Sequence, residues 1–463
     1  MRLYFIGICG TAMGNAALLM RDLDLKIEGS DDNVYPPMSD LLAASGITVK
    51  TGYDAAHLEL RPELVVIGNA MSRGNPEVEF VLSERIPYIS LPELLKQQVI
   101  QGKESIVVTG THGKTTTTSL MAWTFERGDK KPTFLIGGVP ENFAKGYQSH
   151  PESPFVILEG DEYDSAFFDK RSKFLHYLPT TLVINNIEFD HADIFSSLDE
   201  IKLAFRRATL LVPKNGVIIA NGDDEDVREV IAAAPAPVET FGLREDNTWR
   251  ADNIVHREMT VSFDVIHGGA CEARLELALV GEFNVLNALA VVATARRYLI
   301  PYETIADAFK TFTNVKRRFE LKGEFTGVRI YDDFAHHPTA IRHTLHALRT
   351  KFPLERIFAV FEPRSNTTRR NIFQKELAES FLDADVVLIS QIAREHLLAQ
   401  DERLDPEKVI TDLKAAGKDA YYLADADAIS SKVVELAKPG DVVMVMSNGS
   451  FGGIHDMIKQ KLG

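Results

Sequence analysis

Val107-Val108-Thr109-Gly110-Thr111-His112-Gly113-Lys114-Thr115-Thr116 is the stretch on which the fold turns. An apolar run of strand length ends in a loop with two glycines. Lys-Thr follows, then a threonine-rich helix start. Glycines let backbone N–H groups turn inward on a polyphosphate, and a helix N-terminus adds partial positive charge. Lys114 would offset charge on the β- and γ-phosphates, and a threonine hydroxyl just after it can bind Mg²⁺. The spacing departs from the standard phosphate loop, because Val108 stands six residues before Lys114 where glycine is usual. We still take Gly110, Thr111, His112, Gly113, Lys114, Thr115 and Thr116 as a nucleotide-binding set.

Working outward, short apolar runs alternate with helical patterns, which favours parallel α/β sheets in three segments. The first segment, residues 1–102, has strands at Arg2–Ile6, Lys26–Glu28, Leu64–Gly68 and Tyr88–Ile89, and an amphipathic run at Glu93–Gln101. The second, 103–313, has buried strands at Ser105–Thr109, Phe155–Leu158, Leu182–Asn185 and Val217–Ala220. Between Trp249 and Leu279 its pattern becomes short alternating runs with a turn at His267-Gly268-Gly269, an antiparallel appendage. Helices follow at Asn284–Tyr298 and from Pro301. The third, 314–463, has strands at Val328–Tyr331, Ile357–Phe361, Val386–Ile389 and Val442–Met446, and a helix from Pro338. The motifs fall where strands end, which is where open α/β sheets place ligands.

The chain has 463 residues, 45% hydrophobic and 25% charged, which excludes disordered, collagen-like and coiled-coil classes. Two cysteines exclude a disulfide scaffold and a cysteine-built zinc site. The net charge of −15 makes a general nucleic-acid binder a poor fit. The apolar start Met1–Met20 is broken by Gly7, Gly10, Gly14 and Asn15. It reads as strand, loop and helix, not as a signal peptide, and no stretch is long enough to insert in a membrane. A cytoplasmic location is expected. Composition leaves the oligomeric state open; a monomer and a weak dimer are both compatible.

Three further motifs carry chemistry. Phe155–Leu158 runs into Glu159-Gly160-Asp161-Glu162-Tyr163-Asp164, where a carboxylate can face the phosphate loop and hold Mg²⁺. Spacing does not decide which one; Glu159 is nearest the strand end. Leu182–Asn185 leads into Asn186-Ile187-Glu188-Phe189-Asp190-His191, with His191 as ligand for a second cation or as an orienting group. Tyr331-Asp332-Asp333-Phe334-Ala335-His336-His337-Pro338 lacks the His-Glu-x-x-His arrangement of a zinc hydrolase. The N-terminal loop Gly7-Ile8-Cys9-Gly10-Thr11-Ala12-Met13-Gly14, with Gly29-Ser30-Asp31 ending the second strand, is an anion-binding turn. Cys9 stands where a dinucleotide fingerprint needs its second glycine.

The order of these motifs, followed by Gly281, Asn284 and Asn287, then Arg317-Arg318-Phe319-Glu320, resembles the Mur ligase family across essentially the whole chain. That family joins a carboxylate to an amine using ATP. The resemblance implies two Rossmann-like domains flanking a central P-loop ATPase-type domain. It places Lys114 on the ATP phosphates, Thr115 and Glu159 on a first Mg²⁺ and His191 on a second. Asn284 and Asn287 would lie near the adenine, and Arg318 and Asp333 would reach ATP from the third domain, with His336 nearby. Phe283 replaces a histidine common before Asn284, which weakens the adenine assignment. Lys202 and Arg206 are given no carbamylated-lysine role.

The first domain resembles the branch that binds UDP-N-acetylmuramate, through Gly7, Gly10, Thr11, Gly14, Ser30 and Asp31. Finer features are Asn33–Ser39, Phe167–Phe174, Glu362-Pro363-Arg364-Ser365-Asn366-Thr367 and Met446–His455. They imply that the amine belongs to the murein tripeptide L-alanyl-γ-D-glutamyl-meso-diaminopimelate. Its carboxylates would meet Arg364, with Asn448 as second contact, since arginine grips carboxylates bidentately. His191 and His336 are both candidates for the general base. One alternative is ligation of L-alanine, which the Phe167–Phe174 insertion and the arginine-bearing loop argue against. Others are a nicotinamide oxidoreductase and a non-catalytic UDP-sugar sensor.

Overall fold

The computed structural model describes residues 1–35 and 37–463. Pro36, within the Asn33–Ser39 stretch, lies outside the described residues. Three sheets organise the chain. The first orders Thr48–Thr51, Lys26–Asp31, Arg2–Ile6, Leu64–Ile67 and Tyr88–Ser90, all parallel. Its first crossover helix, Thr11–Asp22, has no acidic residue in its first turn, and the carboxylate that faces the glycine loop at the positive end of its dipole is that of Asp31.

The central sheet has ten strands. Glu104–Thr109 lies inside it, paired in parallel with Phe155–Glu159 on one side and Thr181–Ile184 on the other. Ile106, Val107 and Val108 are wholly buried, each worth about 1.5–3 kcal/mol of burial. A strand covered on both faces reads as a continuous apolar run. That is why it was visible in the sequence. The loops after these three strands leave from the same edge and meet there. The appendage, Trp249–His256, Val261–His267 and Ala270–Leu277, is antiparallel as expected, but it is not separate. Val238–Gly242 pairs in parallel with Trp249–His256 and makes it one continuous sheet.

The helix Lys114–Arg127 follows the phosphate loop and packs against Glu282–Arg297 and Tyr302–Thr311. Its start is rich in β-branched threonine, a poor helix former. The hydroxyls compensate by bonding one turn back, Thr118 to the Lys114 carbonyl at 2.7 Å and Ser119 to Thr115 at 2.6 Å. The alanine run of Glu282–Arg297 is fully buried and lets the helices approach closely.

The third sheet orders Glu320–Phe325, Val328–Asp333, Val442–Met446, Ile357–Phe361, Val386–Ser390 and Asp419–Leu423; only the first pair is antiparallel. The edge strands Thr48–Thr51 and Asp419–Leu423 were not anticipated; edge positions need little apolar pattern. The run Glu93–Gln101 is not one regular helix: Leu91–Leu95 is α-helical and Lys96–Ile100 widens to a π-turn. Among the described residues no helix is long and apolar enough to cross a membrane.

Phe167–Phe174 does not face the third domain. It forms a hairpin, Asp164–Ala166 with Asp169–Ser172, that reaches the first domain. There Phe168 meets Tyr88 edge-on at 4.9 Å, and buried His176 just after it lies 3.0 Å from Glu93. The hairpin ties the first and central domains together.

Candidate active site

The convergent loops line a cavity of about 990 Å³ between the central and third sheets. Gly110 and Gly113 hold φ of 130° and 79°, conformations that disfavour a side chain. A Cβ on Gly113 would also lie 2.6 Å from Asn287 Oδ1. The loop is braced from behind: the Thr111 amide donates to the Asn186 carbonyl at 3.1 Å and the His112 amide to Asn186 Oδ1 at 2.7 Å.

Lys114 folds back across the loop. Its ammonium donates to the Gly110 carbonyl at 2.7 Å and to Glu162 at 2.8 Å. Glu162 is almost wholly buried and is also 2.9 Å from His191 Nε2. Burial alone would push the Lys114 pKa down, but Glu162 and Asp161 hold it above its ordinary value. Burial likewise opposes ionised Glu162, and Lys114 and His191 outweigh it, so its carboxyl stays below the usual range. Thr115 donates to Glu159 Oε1 at 2.8 Å, whose other oxygen accepts from the Gly137 amide at 2.7 Å. Asp161, Glu162 and His191 offer ligand atoms that all lie within 4.8 Å of one another. The carboxylates and imidazole of this group fit a hard divalent cation, and Thr115 with Glu159 forms a hydroxyl–carboxylate pair elsewhere on the same cavity wall. Glu162 is the member that the sequence left undecided within its acidic run.

Asn284 and Asn287 line the same cavity from the start of Glu282–Arg297, bonded to each other at 3.1 Å. The Phe283 ring lies parallel to that of His343 of the third domain, 5.7 Å between centroids. Thr116 is also in the wall. Arg318 reaches across the domain junction, its Nη2 3.4 Å from Thr115 Oγ1. Asp333 lines the cavity too, but its oxygens accept from the Phe319 and Ala335 amides, each at 2.7 Å. It therefore fastens the segment that carries Arg318.

The loop after Thr181–Ile184 docks the third domain. Asp190 accepts from Thr367 Oγ1 at 2.5 Å, Glu188 accepts from Thr339 Oγ1 at 2.6 Å, and His337 Nε2 lies 3.1 Å from the Phe189 carbonyl. His112, Glu188 and His337 also form a close histidine–carboxylate group, but His337 Nδ1 already accepts from the Thr339 amide. Burial pushes His337 down to about 4, and Glu188 is held at about 2 against its own burial by His112 and Thr339. His336 Nδ1 lies 2.9 Å from the Phe334 carbonyl, which fixes the proton there and leaves Nε2 as acceptor.

The other sequence candidates are placed as follows. Thr11 lines the cavity, so the first domain's glycine loop opens onto it. Gly7 and Gly10 lie on that loop, and Gly14 is pressed against Met38. Ser30 is wholly buried and donates to Glu77 at 2.5 Å, so its hydroxyl cannot meet a substrate. Asp31 accepts from the Cys9 and Asn33 amides, both at 2.8 Å, and shapes the loop. Burial pushes the Cys9 thiol up to about 11, which suits a packed residue. Arg364 and Asn448 lie outside the cavity wall; Arg364 rests over Gly449 and pairs with Glu362 at 3.4 Å. Lys202 pairs with Asp226 at 2.5 Å and Glu229 at 2.7 Å.

Comparison with known proteins matches three family models: the Mur ligase family catalytic domain over residues 2–102, the Mur ligase middle domain over 108–295 and the Mur ligase glutamate ligase domain over 317–449. The chain is 45% identical, over 99% of its length and 97% of the relative's, to the UDP-N-acetylmuramate–L-alanyl-γ-D-glutamyl-meso-2,6-diaminoheptandioate ligase of Escherichia coli K12. It is 31% identical to the UDP-N-acetylmuramate–L-alanine ligase of Geotalea uraniireducens, over 100% of this chain and 98% of that one. The crystal structure of a murein peptide ligase from Psychrobacter arcticus superposes with a TM-score of 0.75 at 36% identity, covering 100% and 99% of the two chains. The chain belongs to the Mur ligase family.

Proposed function

We propose that this protein is an ATP-dependent ligase. It joins the lactoyl carboxylate of UDP-N-acetylmuramate to the amine of L-alanyl-γ-D-glutamyl-meso-diaminopimelate, in peptidoglycan recycling. One observation carries the reading beyond family membership. The third-domain loop with Arg364 is bonded, through Thr367, to Asp190, the residue beside His191 in the Lys114–Glu162–His191 group. Phosphate chemistry and acceptor loop are thereby held next to each other. A cytoplasmic location goes with these substrates.

A carboxylate is a poor electrophile. Here it attacks the γ-phosphate of ATP, giving an acyl phosphate and ADP. The amine then attacks the acyl carbon and phosphate leaves. Two anions must approach, so Lys114 and Arg318 offset charge on the transferred group. A divalent cation, Mg²⁺, would supply further charge neutralisation when bound; Thr115 and Glu159 are the residues that would hold a first, and His191, with Asp161 and Glu162, a second. His191 Nε2 is committed to Glu162, whereas His336, in the cavity wall, keeps an unprotonated Nε2, 3.9 Å from Asp190 Oδ2. His336 therefore takes the amine's proton. Water would destroy the intermediate, so its exclusion is required, and the bonds from Glu188, Phe189 and Asp190 hold the third domain beside the phosphate loop.

The test is UDP-N-acetylmuramate with ¹⁸O in its carboxylate, incubated with ATP, Mg²⁺ and tripeptide. Mass spectrometry should find one ¹⁸O in the released phosphate and a ligated product. Unlabelled phosphate, or label with no ligated product, refutes the proposal.

A further inference from the structure

Apart from the Asp161–Glu162–His191 group, three loops bring two imidazoles and a carboxylate together. His112 and Glu188 stand on the central domain and His337 on the third. Each offers one ligand atom, and these atoms all lie within 4.8 Å of one another. Glu188 Oε2 lies 3.5 Å from His112 Nε2 and 3.6 Å from His337 Nδ1. Around an ion that holds nitrogen and oxygen at about 2.0–2.1 Å, tetrahedral ligand atoms stand about 3.3–3.4 Å apart. The two edges at Glu188 are close to that spacing.

The group is held in place from outside. The Asn186 side chain grips the His112 backbone, accepting from its amide at 2.7 Å and donating to its carbonyl at 3.2 Å. The Glu188 amide donates to Thr111 Oγ1 at 2.9 Å, and its carboxylate accepts from the Thr339 hydroxyl at 2.6 Å. His337 Nε2 lies 3.1 Å from the Phe189 carbonyl, which fixes the proton there and leaves the lone pair on Nδ1. A metal-bound histidine is ordinarily anchored in this way through its other nitrogen. The inward-facing nitrogens are poorly satisfied. His112 Nε2 is buried and makes no hydrogen bond among the described residues. His337 Nδ1 has the Thr339 amide at 3.3 Å, beyond the usual range for such a bond. A buried polar atom left without a partner is costly.

We propose that His112, Glu188 and His337 form a zinc-class metal site that bridges the central and third domains. Two imidazoles and one carboxylate suit Zn²⁺ better than Mg²⁺, which prefers oxygen. Three protein ligands leave a fourth position, and His112 and Glu188 both line the cavity, from which an ion can enter. The ligands come from both domains, so a bound ion fastens the third domain over the cavity. The site goes beyond the ligase reading and holds for any acceptor. No local motif encodes it, because its ligands lie on three loops far apart in the chain.

The experiment titrates the full chain with Zn²⁺ against a chromophoric chelator, in millimolar Mg²⁺, for wild type, His337→Gln, Glu188→Gln and His191→Gln. Wild type should bind Zn²⁺ about tenfold or more tighter than His337→Gln and Glu188→Gln, since loss of even an outer-shell partner costs about 10–100-fold. His191→Gln should bind it as wild type does. Saturating Zn²⁺ should raise the melting midpoint of wild type and leave that of His337→Gln in place. Co²⁺ should give wild type the intense visible band of a tetrahedral ion. Equal affinity in wild type, His337→Gln and Glu188→Gln overturns the site, as does a loss confined to His191→Gln, which would put the ion on the Asp161–Glu162–His191 group. Equal melting shifts in wild type and His337→Gln overturn the bridge between domains. His337 caps a helix; if His337→Gln misfolds, Glu188→Gln and the Co²⁺ band carry the test, and a faint octahedral band overturns the site.

Discussion

Replacing Glu162 by glutamine changes one charge and almost no volume, at the point where the site's electrostatics meet. The carboxylate accepts from Lys114 at 2.8 and 3.0 Å and from His191 at 2.9 Å, all largely out of water. Removing one partner of such a pair costs about 3–5 kcal/mol, because the other charge is left buried. Lys114 keeps the Gly110 and Thr111 carbonyls at 2.7 and 3.2 Å, and glutamine retains one acceptor oxygen. Both facts favour the low end, ~3 kcal/mol. For a cooperative unit the size of the central segment, each kcal/mol lowers the melting midpoint by about 2–4 °C, so the shift should be about 6–12 °C. Loss of a carboxylate that orients Lys114 and His191 should also lower kcat by roughly 10²–10³-fold. Differential scanning fluorimetry reads the first and phosphate release the second. A melting midpoint within about 2 °C of wild type together with near-normal kcat would refute both the buried pair and its role.

Four further outcomes follow from the geometry. Lys114→Ala should abolish nucleotide turnover in a phosphate-release assay; wild-type turnover would remove the phosphate-loop assignment. Arg364→Ala should raise tripeptide KM while ATP kinetics stay normal; an unchanged tripeptide KM would exclude it as a peptide contact. His337, neutral down to about 4 in the fold and to 6.5 when unfolded, binds its proton preferentially in the unfolded chain. Stability is therefore present above pH 6.5 and falls as pH drops toward 4, by up to about 3 kcal/mol. Glu188, ionised down to about 2 against 4.5 unfolded, adds a further loss below that. A melting profile from pH 7 to pH 4 that is equally steep in His337→Gln would contradict the assignment to His337. Thr367→Val removes the bond to Asp190 and should cost about 1–2 kcal/mol of domain docking. It should read as a faster proteolytic separation of the third domain; an unchanged rate would show that the bond does not hold it.

What the sequence revealed and what it hid divide along physical lines. The strands bearing Thr109, Glu159 and Ile184 are continuous apolar runs because both faces are covered, so their ends, and the loops that make the site, could be located. The choice of Glu162 could not be made. Glu159, Asp161, Glu162 and Asp164 lie within one short run, and only the fold shows which carboxylate turns onto Lys114. Ser30 was misread for a related reason. It ends a strand beside the glycine loop, but its side chain points at buried Glu77. Phe167–Phe174 was distinctive in sequence, yet nothing local told whether it faced the first domain or the third. Contacts such as Thr367 with Asp190 join residues far apart in the chain, and no local pattern encodes them.

The most direct measurement is ADP and phosphate release with ATP, Mg²⁺ and UDP-N-acetylmuramate, comparing tripeptide with L-alanine as the only acceptor. Release driven by the tripeptide, matched mole for mole by ligated product, is the predicted result. Release driven by L-alanine alone would contradict it, leaving the fold and the ATP chemistry in place and moving the protein to the first peptide step of new synthesis.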